Sequence, residues 1–163
     1  MRKIIVALLV GAFAACTSID CPLNHSVYHT YLMKKPDGTP DTLLNDSLWI
    51  LTRRADDTLT VVLNGLSGTS ASWFDLPTSY MAPEDTFFVY LKDKEGNIMP
   101  DTIWVKKENY PHFESVDCQP SYFHHITGVR VAGNIIDSIV IINPNTTYDT
   151  SIEDFHIYFS PDL

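Results

Sequence analysis

Residues 86–106 of the chain read TFFVYLKDKEGNIMPDTIWVK. Aromatic and β-branched residues, which favour strands, stand on both sides of a charged segment at residues 92–97. That segment contains Asp93, Gly96 and Asn97, and these residue types favour turns. Two apolar runs with a polar, glycine-containing connection predict a β-hairpin. We therefore expect paired strands at residues 86–91 and 101–106.

The rest of the chain repeats this alternation of apolar and polar positions. It predicts further strands at residues 27–33, 47–52, 58–63, 125–131, 135–142 and 155–159, and long loops at residues 77–84 and 143–153. No window has the spacing of an amphipathic helix. About eight or nine short strands predict an all-β, antiparallel β-sandwich, which we expect to be immunoglobulin-like. The Cys…Trp…Cys spacing of immunoglobulin domains is not convincingly present, so the prediction concerns fold class.

The N-terminus has the pattern of an export signal. Met1, Arg2 and Lys3 precede an apolar run that continues to Ala15, directly before Cys16. Residues 13–16, Phe-Ala-Ala-Cys, resemble a bacterial lipobox, where a peptidase cuts before the cysteine and its thiol carries a diacylglycerol. We predict lipidation of Cys16, with a further acyl chain such as palmitate. The run is shorter than the roughly 20 residues of a spanning helix, and an ordinary secretory signal is the remaining alternative.

This interpretation divides the chain into three parts. Residues 1–15 form a signal peptide, residues 16–20 a short lipid-anchored tether, and residues 21–163 a single β-sandwich domain. A tether of five residue steps spans about 17 Å when fully extended. We therefore expect the domain to lie close to the membrane surface.

Two cysteines remain once Cys16 carries lipid. Cys21 and Cys118 would lie in an oxidising compartment, where disulfides persist. We predict a Cys21–Cys118 bridge, which would contribute on the order of 4 kcal/mol by constraining the unfolded chain. The alternative is two free thiols.

The chain is acidic, with 20 Asp and Glu against 11 Lys and Arg. Removal of Arg2 and Lys3 with the signal peptide takes the formal charge from −9 to −11. Such a body is repelled by nucleic acid and by anionic lipid, so we expect no nucleic-acid partner. The membrane contact would come from the lipid anchor.

A short motif recurs, in which Asp is followed by Ser or Thr and then by an aliphatic residue. Because Asp favours turns and Thr favours strands, the motif indicates strand entry. It also resembles the O-glycosylation acceptor motif of Bacteroidetes-type envelope proteins. The candidate glycosylation sites are Thr42, Ser47, Thr58, Thr102 and Ser138, and the segment at residues 85–87 is a near match.

Two copies of the motif lead into a tryptophan. Trp49 follows Leu48, and Trp104 follows Ile103, so strand alternation separates each indole from the aliphatic face. If the aliphatic face is buried, Trp49 and Trp104 lie outside as candidate ligand-binding residues, for a glycan or a protein. Trp73 is a further candidate for glycan binding. The alternative is that loops or long side chains cover these indoles.

The sequence has no motif of a known catalytic centre. His112, His124 and His125 flank Cys118, and a metal-dependent hydrolase using them is one hypothesis. However, zinc-ligand spacings are absent, and neighbours such as His124 and His125 point to opposite faces of a strand. We predict a non-enzymatic protein with no metal site, no catalytic residues and no cofactor.

The chain resembles a family of small Bacteroidetes-type lipoproteins of unknown function. The resemblance rests on residues 16–23, 106–118, 126–128 and 155–159. It implies a location and no activity. We expect a lipid-anchored envelope protein at the outer membrane, on its periplasmic face because Thr17 to Asp20 holds one acid. Its expected role is to bind or scaffold an envelope protein, with glycan binding as the alternative.

Overall fold

The computed structural model describes Cys21 and residues 26–160, in which strands make up the regular structure. Within this part of the chain there is no helix that could cross a membrane. The strands are β1 (Tyr28–Met33), β2 (Leu43–Arg53), β3 (Leu59–Gly68), β4 (Trp73–Pro77), β5 (Glu84–Lys92), β6 (Ile98–His112), β7 (Ser121–Val131), β8 (Ile136–Ile141), β9 (Asn145–Thr146) and β10 (Phe155–Phe159).

The strands form two sheets. One has four strands in the order β4-β1-β10-β8, and the other has six in the order β3-β2-β5-β6-β7-β9. The all-β prediction is confirmed. The expectation of purely antiparallel pairing is wrong at one place, because β1 and β10 are parallel. Parallel neighbours need a long crossover, and here nearly the whole domain lies between the two strands.

The hairpin predicted from residues 86–106 is present as β5 and β6. Its inner face carries Phe87, Val89 and Ile103, which are almost fully buried. Asp93 Oδ1 accepts hydrogen bonds from the amides of Glu95 and Asn97, at 2.8 and 2.9 Å, which fixes the turn. Local sequence therefore determines this part of the fold.

Several strand segments escaped the prediction, among them β4, the second half of β6, and β9, which lies within the predicted loop at residues 143–153. β4 was missed because it is short and contains Asp75 and Pro77, although Phe74 and Leu76 alternate inward. β6 continues beyond the predicted residue 106 to His112. Its charged second half is held by pairing with β7, from Lys107 opposite Ile126 to His112 opposite Ser121. Long-range pairing overrides the weak strand propensity of these residues.

The predicted disulfide is present between Cys21 and Cys118, with Cα atoms 5.6 Å apart. It joins the segment before β1 to the connection between β6 and β7. The predicted signal peptide, the tether and Cys16 lie outside the described residues.

One apolar core lies between the sheets. Tyr31 of β1 stacks between Phe74 and Phe155, with ring centroids 5.1 and 4.6 Å apart. Leu48, Ile50 and residues of β5 and β6 enter the same core from the six-stranded sheet. The outward residues of that sheet therefore stand on a rigid support.

Candidate functional site

The outer face of the six-stranded sheet carries aromatic and cationic side chains together. Register sets Trp49 opposite Tyr90, Leu51 opposite Phe88, and Trp104 opposite Arg130. These positions alternate with buried residues such as Ile50 and Val89, so they face outward. The aromatic–cation face comprises Trp49, Leu51, Arg53, Phe88, Tyr90, Lys92, Trp104, Lys106 and Arg130.

Trp49 is held against the edge of this face. Its Nε1 donates a hydrogen bond to Asn64 Oδ1 at 3.1 Å. Its indole lies against Gly65, where an added methyl group would stand 3.4 Å from Cζ2 of the ring. Gly65 has a φ of 67°, which favours glycine at this position. The indole is half-buried and fixed, so its remaining surface is a preorganised contact area.

Trp104 is partly covered. The guanidinium of Arg130 lies 3.9 Å from the centre of its ring, and Arg130 also pairs with Glu84 at 3.0 Å. A cation over an aromatic face is favourable by about 0.5–1 kcal/mol at exposed sites. The alternative that a long side chain covers an indole therefore describes Trp104.

Four cations lie on the aromatic–cation face of an acidic chain. Arg53 lies 5.8 Å from the Phe88 ring centre and pairs with Asp57 at 2.9 Å. Lys92 and Lys106 are exposed and have no ion pair among the described residues. Since Asp57 and Glu84 balance Arg53 and Arg130, the positive excess of this face comes from Lys92 and Lys106, while the chain carries a formal charge of −9. Such a distribution attracts groups of negative charge.

A cleft borders this face beside the loop that joins β4 to β5. Its volume is about 690 Å³, and its lining includes Arg53, Arg54, Phe88, Thr86 and Met81. Two guanidinium groups beside an aromatic ring are suited to carboxylate or phosphate groups. The lining also includes Glu84 and Asp85, so the cleft is a concave region with groups of both charges beside the aromatic–cation face.

A buried ion pair lies behind the same loop. Lys107 Nζ is 2.9 Å from Asp85 Oδ2, with the two side chains 0% and 6% exposed. Lys107 Nζ also donates a hydrogen bond to the Ala82 carbonyl at 2.9 Å. Asp85 accepts longer hydrogen bonds, of 3.3 Å, from the Ser79 amide. Burial raises the pKa of Asp85, and Lys107 opposes this shift.

Two histidines adjoin the buried pair. His29 Nδ1 is 3.1 Å from Thr146 Oγ1, which itself lies 3.4 Å from Asp154 Oδ1. Since Asp154 can accept, Thr146 donates to it and His29 donates to Thr146. This leaves Nε2 of His29 buried and without a hydrogen-bond partner among the described residues. Burial, with the nearby charges of His124 and Lys107, lowers the pKa of His29 to about 3. Burial and Lys107 lower that of His124 to about 4. Both rings are neutral at pH 7.

The three histidines of the hydrolase hypothesis do not converge. His124 is buried and bonded to Asn109, whereas His125 faces outward and is bonded to Asn145. His112 stacks on Phe123 and pairs with Glu114. In the part of the chain that the structure describes, no group of three or more His, Cys, Asp or Glu residues could hold a metal ion.

The candidate glycosylation residues differ in exposure. Thr58 is exposed and donates a hydrogen bond to Asp56, while Thr42, Ser47, Thr102 and Ser138 are half-buried. The prediction that the motif marks the start of a strand is correct for Thr42 and Thr58, which directly precede β2 and β3. The same prediction is wrong for Ser47, Thr102 and Ser138, which lie inside strands. Strand pairing continues through those residues, because they have partners on neighbouring strands.

The sequence prediction missed several parts of this site. Tyr90 and Phe88 alternate with buried Val89, so the period of two already indicated their outward position. Arg130 could not be paired with Trp104 in advance, because the β6–β7 register includes a shift at Lys106/Lys107. Lys107 was missed because the predicted strand ended one residue before it.

Comparisons with known proteins give a family without an assigned activity. A search of curated proteins found no match, and a search of solved structures found none. A protein-family model described as "Family of unknown function (DUF6452)" matches residues 47–159, which run from β2 to the end of β10. This match covers more than half of the chain, and the protein therefore belongs to the DUF6452 family.

Proposed function

We propose that this protein is a lipid-anchored, non-enzymatic envelope module that binds or scaffolds a partner through the aromatic–cation face. The observation that supports the proposal is the combination of Trp49, Tyr90 and Trp104 with four cations on one rigid sheet. Trp, Tyr and Arg are the residues most enriched at interface hot spots. The partner we expect carries acidic groups, because charge complementarity governs encounter and orientation.

The location is the second part of the proposal. Cys16 would carry the lipid and hold the protein at the outer membrane, on the periplasmic face. The bridge between Cys21 and Cys118 begins five residues after Cys16, so the domain would stay close to the bilayer. The proposal includes O-glycosylation, for which the exposed Thr58 is the most accessible candidate. It also includes an immunoglobulin-like variant of the two-sheet fold.

Glycan binding is a second candidate, favoured by the geometry of Trp49. Its indole is fixed by Asn64 and Gly65 with part of the ring in solvent. A fixed, partly exposed ring loses little conformational entropy when a sugar packs on it. The hydrolase hypothesis has no comparable supporting observation.

A binding experiment with matched tryptophan variants tests the leading proposal. Wild-type protein, Trp49→Ala and Trp73→Ala would each be used to capture partners from detergent-solubilised envelopes. Trp73 is 53% exposed but lies on β4 of the other sheet, so it controls for loss of an exposed indole. We expect Trp49→Ala to lose the partner and Trp73→Ala to retain it. Equal capture by both variants, or no partner for the wild type, would reject the proposal.

Tryptophan fluorescence separates the glycan candidate. Titration with neutral and acidic oligosaccharides should change the emission of the wild type and of Trp73→Ala, but change it much less in Trp49→Ala. An unchanged spectrum across both classes of oligosaccharide removes glycan binding and leaves a protein partner.

A further inference from the structure

β3 is an edge strand without charge or proline, and its pairing with β2 is regular at Leu59–Val61 and is interrupted by a bulge only beyond Val61. Residues 59–68 read LTVVLNGLSG, ten residues with no charge and no proline. β3 pairs with β2 on one side, and no backbone hydrogen bond to residues 59–67 from outside this pair is found in the described part of the chain. Leu59 and Val61 are 50% and 51% exposed. Natural proteins usually interrupt such edges with charges, proline or short length.

The other sheet edges carry such devices. β4 contains Asp75 and ends at Pro77. β9 is only two residues long. β8 carries the exposed Asp137, and β7 lies close to it. Among the edges that the structure describes, β3 thus combines length, exposure and lack of charge, which favours the addition of another strand.

We propose that β3 pairs antiparallel with β3 of a second copy of this chain. A two-fold axis at Thr60 would set Leu59 of each copy opposite Val61 of the other, and the two Thr60 side chains opposite each other. Exposed apolar residues would cover one another, and Thr–Thr and aliphatic pairs are favourable across strands. This register uses Leu59–Val61, where pairing with β2 is regular before it shifts at Leu63.

The symmetry of the segment Leu59–Val61 favours a second copy of the chain as its occupant. Two chains of formal charge −9 repel each other, so a self-contact requires a surface without acids. Leu59–Val61 supplies that surface, because this uncharged segment meets an identical segment and the exposed Asp56 and Asp57 lie outside it. An isologous contact also needs each residue of the patch to match its symmetry partner, as Leu59 and Val61 do.

The pairing would join two six-stranded sheets into one continuous sheet. Because Leu59 and Val61 border the aromatic–cation face, the two faces of the dimer would lie side by side. This inference does not depend on what that face binds.

Sedimentation equilibrium of the full chain in detergent tests the pairing. The wild type should dimerise, and Val61→Lys should weaken dimerisation at least about tenfold, because an edge lysine opposes strand addition. Val140→Lys is the matched control, since Val140 is 46% exposed on edge strand β8. It should dimerise like the wild type. A monomeric wild type, or equal weakening by both lysines, would overturn the inference.

Cysteine cross-linking tests the register independently. Residues opposite each other on paired strands have Cβ atoms about 4.5–5.5 Å apart, within reach of a disulfide after small adjustment. Thr60→Cys should give a reducible covalent dimer under mild oxidation, and Val140→Cys should not. Cross-linking of Thr60→Cys to a different protein in the envelope, with no dimer, would instead identify another occupant of the edge and reject self-pairing.

Discussion

Asp85 and Asp101 both lie buried on the inner face of the β5–β6 hairpin, but they are neutralised in different ways. Each begins an Asp-Thr-apolar tripeptide, and they occupy opposite ends of the paired strands. Asp101 Oδ2 accepts hydrogen bonds from the amides of Asn134, Ile135 and Ile136 at 2.8–2.9 Å. Asp85 instead depends on one side chain, Lys107, and on longer contacts with Ser79.

The difference distinguishes two ends of the sandwich. The end at Asp101 is held by main-chain hydrogen bonds, and the end at Asp85 is held by side chains that titrate. At Asp101, main-chain donors fix the turn that leads from β7 to β8, and only substitution by proline would remove one of them. At Asp85, the ion pair fixes the loop beside the cleft and adjoins His29 and His124. The candidate binding region therefore borders the end whose stability depends on side-chain charge.

The largest effect should come from breaking the ion pair. Lys107→Met leaves the Asp85 carboxylate buried without its cation, which typically costs about 3–5 kcal/mol. Adding Asp85→Leu removes the uncompensated charge and should recover most of that loss. Urea denaturation of the two variants at pH 7 measures both values. A double variant as unstable as Lys107→Met would show that lost packing, and not charge, is responsible.

Asp101→Ala should cost somewhat less, about 2–4 kcal/mol, because buried amides lose a charged acceptor. Ile135 and Ile136 are both fully buried, so water cannot readily replace the carboxylate. Unlike the ion pair, this site has no side-chain partner whose removal would compensate. The same denaturation measurement applies. A loss below about 1 kcal/mol would indicate that the amides find other acceptors and that the two ends are less different than proposed.

Acid should destabilise the protein through the titratable end. The pKa of His29 is about 3 when folded and 6.5 ordinarily, so between these values the unfolded chain binds a proton that the folded chain does not. Stability therefore falls as pH decreases through this window, by about 2 kcal/mol for His29 between pH 7 and 5. His124, with a pKa of about 4, acts in the same direction. Asp85 has the opposite effect, because its pKa is raised in the folded chain. The folded chain therefore binds this proton more readily, and Asp85 adds stability as the pH falls towards its ordinary pKa.

His29→Phe tests this assignment, since phenylalanine keeps an aromatic ring beside Phe155 but has no proton to bind. The variant should lose about half of the pH dependence between pH 7 and 5, measured by thermal melts at several pH values. An unchanged pH profile would assign the acid sensitivity to other groups.

The contrast between the two ends also explains what the sequence could reveal. Alternation placed Leu48 and Ile103 on the inner face and Trp49 and Trp104 on the outer face, because strand period depends on neighbouring residues alone. Cysteine counting identified Cys21 and Cys118. The roles of Asp85 and Asp101 were beyond reach, since Lys107 and the amides at residues 134–136 meet them only through strand register. The contact of Arg130 with the Trp104 ring could not be predicted for the same reason, because strand register brings the two residues together. The local sequence pattern thus predicted most of the strands, whereas the contacts within the site depend on long-range strand pairing.

The smallest effect should occur at a third copy of the tripeptide. Asp137 has a similar sequence context to Asp101, since Ser138 and Ile139 follow it, but it is exposed, and within the described residues its side-chain hydrogen bond is with the Ser138 hydroxyl at 3.1 Å. Because water replaces an exposed carboxylate at little cost, Asp137→Ala should change the free energy of unfolding by less than about 0.5 kcal/mol. A comparison of Asp137→Ala with Asp101→Ala distinguishes the effect of the tripeptide sequence on stability from the effect of its surroundings. A loss at Asp137 comparable to that at Asp101 would mean that the tripeptide itself contributes to stability, whereas a near-zero value assigns the contribution to burial and to the amides that face Asp101.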